Sequence, residues 1–228
     1  MFSITNHNFN NHQTHMKKIF ILAVSALAIV ACSKEPGSVS GNVFYKYNDY
    51  VGNKPDAGST IKLYNVDKSA EPAKYEVTTD VQGNYKISGV VPADYLLFIQ
   101  SKTTTAKATD VLSQLSANAK EAKEVFGVDA EKISKQIEEL KVIEVKQTEA
   151  YANAMEHLDA GDKYVKEYGQ HIKDSKAKLN SILDALPKDM QNLLAISEGY
   201  GPKLEIKKVT VAEAKDSQNN TDFGITYK

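Results

Sequence analysis

The sequence predicts an α+β protein in which an antiparallel β-sandwich of about seven strands contains an inserted antiparallel three-helix bundle. Apolar and polar residues alternate along residues 39–101 and again along residues 204–227. Between these segments, residues 101–186 lack proline and repeat apolar residues every three or four positions. We therefore assign residues 38–102 and 203–228 to the sandwich and residues 103–202 to a helical insertion.

Short alternating runs predict the strands of the first segment. The expected inward-facing positions are Val39, Val43, Tyr45, Ile61, Leu63, Tyr75, Val77, Tyr85, Ile87, Tyr95, Leu97 and Ile99. Turn residues separate these runs, notably at residues 53–58 and 80–84. Such short strands with regular turns are typical of a sandwich.

The closing strands are predicted near the C-terminus. Leu204, Ile206, Val209 and Val211 mark one, and Phe223, Ile225 and Tyr227 mark the last. The alternation slips between Ile206 and Val209, so we expect a bulge at Lys207-Lys208.

Three motifs carry a family resemblance. They comprise Pro55, Gly58, Ile61 and Leu63, then Thr79, Asp80, Gly83, Tyr85 and Ile87, and finally Gly89, Val90, Tyr95 and Leu97. This pattern resembles the carboxypeptidase-regulatory-like (Cna-B-like, transthyretin-like) β-sandwich family, although Ala93-Asp94 replaces the family's last turn glycine. The resemblance implies one or two closing strands soon after Leu97. Here they follow only about a hundred residues later, as an insertion requires. The resemblance implies a fold and leaves the function open.

Three heptad-like seams predict the helices of the insertion. They are Leu112, Leu115, Ala119, Ala122 and Phe126; Ile133, Ile137, Leu140, Glu144, Gln147, Tyr151, Ala154 and Leu158; and Val165, Tyr168, Ile172, Ser175, Leu179, Ile182 and Leu186. Asp129 is the expected N-cap of the second helix. A short fourth helix is expected after Pro187.

The N-terminus has the order of a bacterial lipoprotein leader. The basic pair Lys17-Lys18 precedes an uncharged apolar run at residues 19–31, which is too short for a comfortable membrane span. The run ends in IVAC, which resembles a lipobox and implies that Cys32 becomes the lipidated N-terminus, carrying fatty acids such as palmitate. Residues 1–31 would then be a signal peptide. A complete leader opens at Met16, which indicates that residues 1–15 lie upstream of the true start.

Residues 32–37 are a polar tether, and Ser33 after the cysteine, by resemblance to the common sorting rule, implies the outer membrane and a cell-envelope location. A formal net charge of -1 gives no reason to expect a nucleic-acid partner. One cysteine excludes an internal disulfide. Common catalytic and nucleotide-binding motifs are absent, so we predict no enzyme activity and no cofactor.

Two histidines remain after the leader, His157 and His171, each near a glutamate, Glu156 and Glu167. A dedicated zinc site needs three or four ligands, so we predict exposed histidines and no metal. Glu144, Gln147 and Ser175 form a polar layer on the helical seams. This layer either binds a ligand or, as is better attested, sets the helix register.

Two further sites are considered. Related sandwiches can join a lysine to an asparagine, for which Lys46 or Lys62 and Asn219 or Asn220 would serve. That reaction requires a desolvated neutral lysine, and these lysines have solvent-facing parity. An aromatic strip of Tyr45, Tyr47 and Tyr50 is the other, but the first two have core parity.

Together these features predict a membrane-anchored, non-enzymatic envelope lipoprotein. The helical insertion would be the contact surface for a protein or glycan partner. One alternative is an enzyme with a carboxylate site on or beside the helices, which requires a cleft lined by several acids of raised pKa. The other is a structural spacer or oligomer subunit.

Overall fold

The computed structural model describes residues 34–67, 73–157 and 162–225, so the predicted leader and Cys32 lie outside the described residues. The chain divides into two compact units, Met1–Glu35 and Pro36–Lys228, and the fold described below is that of the second. Among the described residues, no helix combines the length and apolarity needed to cross a bilayer.

The described residues of this unit form nine strands and five helices, which confirms the α+β class. The strands are β1 (Gly37–Asn48), β2 (Gly52–Pro55), β3 (Thr60–Asn65), β4 (Tyr75–Thr78), β5 (Asn84–Val90), β6 (Ala93–Lys107), β7 (Tyr200–Val211), β8 (Asp216–Gln218) and β9 (Thr221–Ile225). The helices, all between β6 and β7, are α1 (Ala108–Ala117), α2 (Ala119–Phe126), α3 (Ala130–Glu156), α4 (Asp162–Asp184) and α5 (Lys188–Leu194).

Two sheets form the sandwich. The outer sheet is built on β1, whose first half pairs with β5 and β8 and whose second half pairs with β2 and β9. The other sheet has the order β4-β3-β6-β7 and is antiparallel throughout. The helices pack on its second face, so it is the middle of three layers.

Strand β6 is buried on both faces. Tyr95, Leu97 and Ile99 lie in the core between the sheets, whereas Leu96 and Phe98 lie in a second core against the helices. All five residues of this segment are at most 1% exposed. The predicted alternation identified the first face only; an uninterrupted apolar run such as YLLFI is typical of a strand covered on both sides.

The expected bulge at Lys207-Lys208 is wrong. The pairing of β7 with β6 is continuous from Val211 to Leu204, through both lysines. The alternation slips because the strand changes its buried face. Leu204 and Ile206 pack in the helical core, whereas Val209 and Val211 pack in the sandwich core.

Strands β8 and β9 run parallel to β1, which corrects the prediction of a purely antiparallel sandwich. Strand β7 ends beside Gly37, where β1 begins, since a side chain at Gly37 would meet Val211 at 2.7 Å. The chain then turns back at residues 212–215 and crosses to the outer sheet, so it leaves in the direction of β1. Asp216 fastens β8 there by accepting hydrogen bonds from Ser38 and Ser40.

The helical layer differs from the predicted three-helix bundle because two helices, α1 and α2, replace the predicted first helix. The chain breaks at Asn118, whose side-chain amide donates to the main-chain oxygens of Gln114 and Ile206. The N-cap role of Asp129 is confirmed, since its carboxylate accepts from the Lys132 amide at 3.0 Å. The short helix after Pro187 is α5, and the turn between α3 and α4 lies largely outside the described residues.

The helices begin at residue 108 instead of 103 because β6 continues through β-branched threonines. Its register shifts between Gln100 and Thr105, where a buried polar network holds the chain. Asp56, fully buried, accepts hydrogen bonds from the Ser101 hydroxyl and the Thr103 amide. The network ties the start of the helical insertion to the turn before β3.

Because β6 belongs to both cores, we expect Phe98→Ala to destabilise the whole unit by about 3–5 kcal/mol. During urea unfolding, far-ultraviolet circular dichroism reports mainly the helices, and protection of the β1 and β5 main-chain amides from hydrogen exchange reports the sandwich. The two transitions should shift together. Lys102→Ala, an exposed change on the same strand, should move neither by more than about 0.5 kcal/mol. Separate transitions would contradict a shared core.

Candidate functional site

A polar cleft of about 500 Å³ lies where the α3–α4 hairpin meets the ends of β6 and β7. Its residues come from α3, α4, the end of β6 and the segment that joins α5 to β7. The lining side chains include Lys107, Glu144, Gln147, Thr148, Ile172, Ser175, Lys176, Leu179, Asn180, Leu183, Ile196, Ser197, Glu198 and Tyr200.

Packing below the cleft sets the register of the two long helices. Ile137 and Leu140 of α3 and Leu179 and Ile182 of α4 lie in the helical core. Lys178 also contacts the Glu139 carboxylate across the hairpin. This packing holds the polar residues that come next on each seam, Glu144 and Gln147 on α3 and Ser175 on α4, side by side just beyond the helical core.

A tight turn forms the opposite wall. Ser197 and Tyr200 exchange main-chain hydrogen bonds of 2.8 and 3.0 Å around Glu198 and Gly199. Both central residues have positive φ, 52° and 84°, as in a type I′ turn. The Gly199 oxygen accepts from the Ala108 amide at 2.8 Å, which fastens the turn to the start of α1. Glu198 in a left-handed conformation is uncommon for a non-glycine residue and marks a constrained wall.

The structure brings the predicted polar layer together as part of this cleft. Glu144, Gln147 and Ser175 all line it. Among the described residues, no hydrogen bond joins these side chains across the hairpin, so the packing of apolar residues and the Lys178–Glu139 contact carry the register. Of the two interpretations of the polar layer, ligand binding is therefore favoured, and this cleft is where a ligand would bind.

Glu144 is a partly buried carboxyl group of the cleft. Partial burial raises its pKa, and the negative charge of Asp110 adds to this. The charge of Lys107 and a hydrogen bond with Thr109 act in the opposite direction and are the smaller effects in sum. The cleft thus holds a carboxyl group that keeps its proton more readily than an exposed glutamate.

Sequence analysis missed Lys107 and Tyr200. Tyr200 is 57% exposed and lines the cleft, and Lys107 pairs with it where β6 meets β7. The sequence did contain one signal, Glu198-Gly199, a two-residue turn just before Tyr200. It was not recognised because the residues on either side of the turn do not alternate between apolar and polar.

The histidines are not brought together. His157 ends α3 and stacks on Tyr164, with ring centroids 5.1 Å apart, whereas His171 lies within α4. In the part of the chain that the structure describes, no three His, Cys, Asp or Glu side chains are grouped to hold a metal.

The lysines and asparagines considered for cross-linking are also apart. Lys46 pairs with Asp49, and Lys62 pairs with Glu76 in the other sheet. Asn219 and Asn220 instead lie beside the first half of β1. Of the considered aromatic strip, Tyr45 lies in the sandwich core and Tyr50 is 99% exposed in a turn, so no strip forms.

A larger cavity of about 680 Å³ lies between β3 and α5. Three of its polar side chains, those of Lys62, Glu76 and Gln100, already have partners. Lys62 contacts Glu76 at 3.1 Å, and the Gln100 amide donates to the Leu193 oxygen at 2.7 Å. We regard the smaller polar cleft as the candidate site because the predicted polar layer of Glu144, Gln147 and Ser175 lines it.

Comparison with known proteins yields weak structural likenesses. No protein-family model matches the chain, and no curated protein matches its sequence. Among solved structures, the minor pilin of Streptococcus agalactiae is 12% identical over 84% of this chain and 45% of its own, with a TM-score of 0.32. This chain therefore spans less than half the length of that pilin.

Two further structures complete the comparison. A Pseudomonas aeruginosa protein proposed to bind carbohydrate is 9% identical over 85% of this chain and 93% of its own, with a TM-score of 0.32. The shaft pilin of Lactobacillus rhamnosus is 17% identical over 32% of this chain and 38% of its own, with a TM-score of 0.20. At these scores the comparisons assign neither a family nor a function.

The raised pKa of Glu144 predicts a pH-dependent stability. Its folded pKa exceeds the ordinary value of 4.5, so the destabilising effect is absent below that pH and complete once the folded group ionises. Glu144→Gln should raise the melting temperature slightly at pH 7 and leave it unchanged near about pH 4. Glu149→Gln, an exposed change on the same helix, should alter neither melting temperature. A pH-independent gain for Glu144→Gln would disprove this explanation.

Proposed function

We propose that this protein is a non-enzymatic binding module of the bacterial cell envelope, anchored through lipid on Cys32, with the helical hairpin as its contact surface. The observation that carries the proposal is the position of that hairpin. The chain enters the sandwich at one end of β6 and β7, and the hairpin rises beyond the other.

The two ends are defined by strand pairing. Gly37, Ala93 and Val211 lie at one end of the sheets, and Lys107 and Tyr200 at the other. The five residues 33–37 span at most about 18 Å, so a lipid on Cys32 would hold the first end near the membrane. The cleft and hairpin would then face away from it.

The outer part of the hairpin is an arm, which we define as residues 145–157 and 162–174. These residues belong to neither core cluster, and among those whose burial is described only Ala150 is buried. The arm extends about 20 Å past the helical core. Tyr151, Met155 and Val165 expose roughly half of their surface on it, at 49%, 54% and 58%. Exposed apolar side chains on a projecting helix pair favour a protein-contact surface over a plain spacer.

The anchor is tested by removing its thiol. Cys32→Ala should abolish incorporation of labelled palmitate and leave the apolar leader of residues 19–31 uncleaved. Cys32 precedes the folded unit, so the melting temperature should not change. Ser33→Ala is the matched control and should stay lipidated. Palmitate on Cys32→Ala, or a wild-type protein that carries no palmitate, would contradict the proposed anchor.

The contact surface is tested by photo-crosslinking in intact cells. A photoreactive residue at Met155 or Val165 should yield a discrete adduct of higher mass. The same residue at Val81, which is 75% exposed in the β4–β5 turn, should yield none. An adduct at Val81 alone, or none anywhere, would count against the arm as the contact surface.

A further inference from the structure

We propose that the polar cleft at the base of the arm binds a small uncharged carbohydrate, with Tyr200 as the stacking surface and Gln147, Ser175 and Asn180 as hydrogen-bonding groups. This inference deepens the proposed function, since it supposes a binding module and names a ligand class for one site.

The hydrogen-bonding groups of the cleft are available for a ligand. Among the described residues, the side chains of Gln147, Ser175 and Asn180 make no hydrogen bond, although they surround one concavity. Each amide offers two donor hydrogens and an acceptor oxygen, and the hydroxyl offers both functions. Mixed donors and acceptors on several sides suit a ligand whose rim is made of hydroxyl groups.

The charges of the cleft disfavour an ionic ligand. Two lysines, Lys107 and Lys176, and two glutamates, Glu144 and Glu198, line it, so their formal charges cancel. Phosphate recognition favours converging cations, whereas the two lysines here share the lining with two glutamates. The raised pKa of the Glu144 carboxyl fits a group that exchanges hydrogen bonds with hydroxyls.

The apolar surfaces suit a sugar ring, which presents C–H groups on its faces and hydroxyls on its edges. The exposed ring of Tyr200 stands at the rim, and Leu179, Leu183 and Ile196 contribute apolar surface to the lining. An aromatic face and a small apolar patch beside polar groups match this division.

The size and rigidity of the cleft agree with this ligand. A volume of about 500 Å³ lies within the range of small-molecule sites and is ample for a disaccharide. The Ser197–Tyr200 turn is hydrogen-bonded within itself and to Ala108, so Tyr200 stands on a preformed wall. Little ordering is then required on binding, which favours affinity.

The test is isothermal titration of the full chain with cellobiose, maltose, lactose and chitobiose. Glucose 6-phosphate and a dipeptide serve as charged probes. We expect at least one disaccharide to bind. Tyr200→Ala and Gln147→Leu should each weaken that binding about tenfold, whereas Tyr200→Phe should retain it. Tyr50→Ala removes a more exposed tyrosine that is not part of the cleft lining, in the β1–β2 turn of the outer sheet, and should leave binding unchanged.

Absence of disaccharide binding would overturn the proposal, as would binding of the charged probes alone or equal losses in Tyr200→Ala and Tyr50→Ala. Circular dichroism of each variant establishes that it is folded. Membrane fractionation and the Met155 adduct should be unchanged in the cleft variants. Failure of the ligand assignment is thereby distinguished from failure of the anchor or of the arm.

Discussion

Burial of the middle sheet on both faces is the constraint on which the rest of the structure depends. Tyr95, Leu97 and Ile99 close the sandwich, and Leu96 and Phe98 receive the helices, so one strand serves two cores. A strand that exposes Leu and Phe to water would be unstable and prone to association. The helical insertion therefore covers an apolar face of the sandwich that would otherwise contact water, and the sandwich depends on it for stability.

The shared strands also fix where the arm points. Strands β6 and β7 lead into and out of the helical layer, and their far ends are tied together at Lys107 and Tyr200. The buried Asp56 network restrains β6 just before that point, and the Ser197–Tyr200 turn restrains the return. Because both connections are held by hydrogen bonds, the base of the arm is rigid while its outer part contacts no core. Rigid support beneath a projecting surface is the arrangement that binding sites require.

The sequence predicts the fold well where one periodicity applies to one face. Tyr85 and Ile87 alternate cleanly because the other side of β5 is exposed to solvent. It fails where a strand serves two layers: the slip between Ile206 and Val209 reads as a bulge although the strand is regular and changes its buried face. The cleft was half predictable. Glu144, Gln147 and Ser175 stand out as polar residues on apolar seams, whereas Tyr200 reaches them only through tertiary packing.

Those three polar residues occupy seam positions at which leucine would add apolar burial to the hairpin. Replacing them with leucine would extend the helical core upward from Leu140 and Leu179 and should favour stability, since each buried CH₂ contributes about 0.8 kcal/mol. Among the described residues their side chains make no hydrogen bond across the hairpin, so the register of the hairpin does not explain them; Glu144 instead shares a hydrogen bond with Thr109 of α1. Residues that break the local pattern without a structural gain are expected at functional sites. The polar layer is thus better understood as the wall of a cleft than as a device of folding.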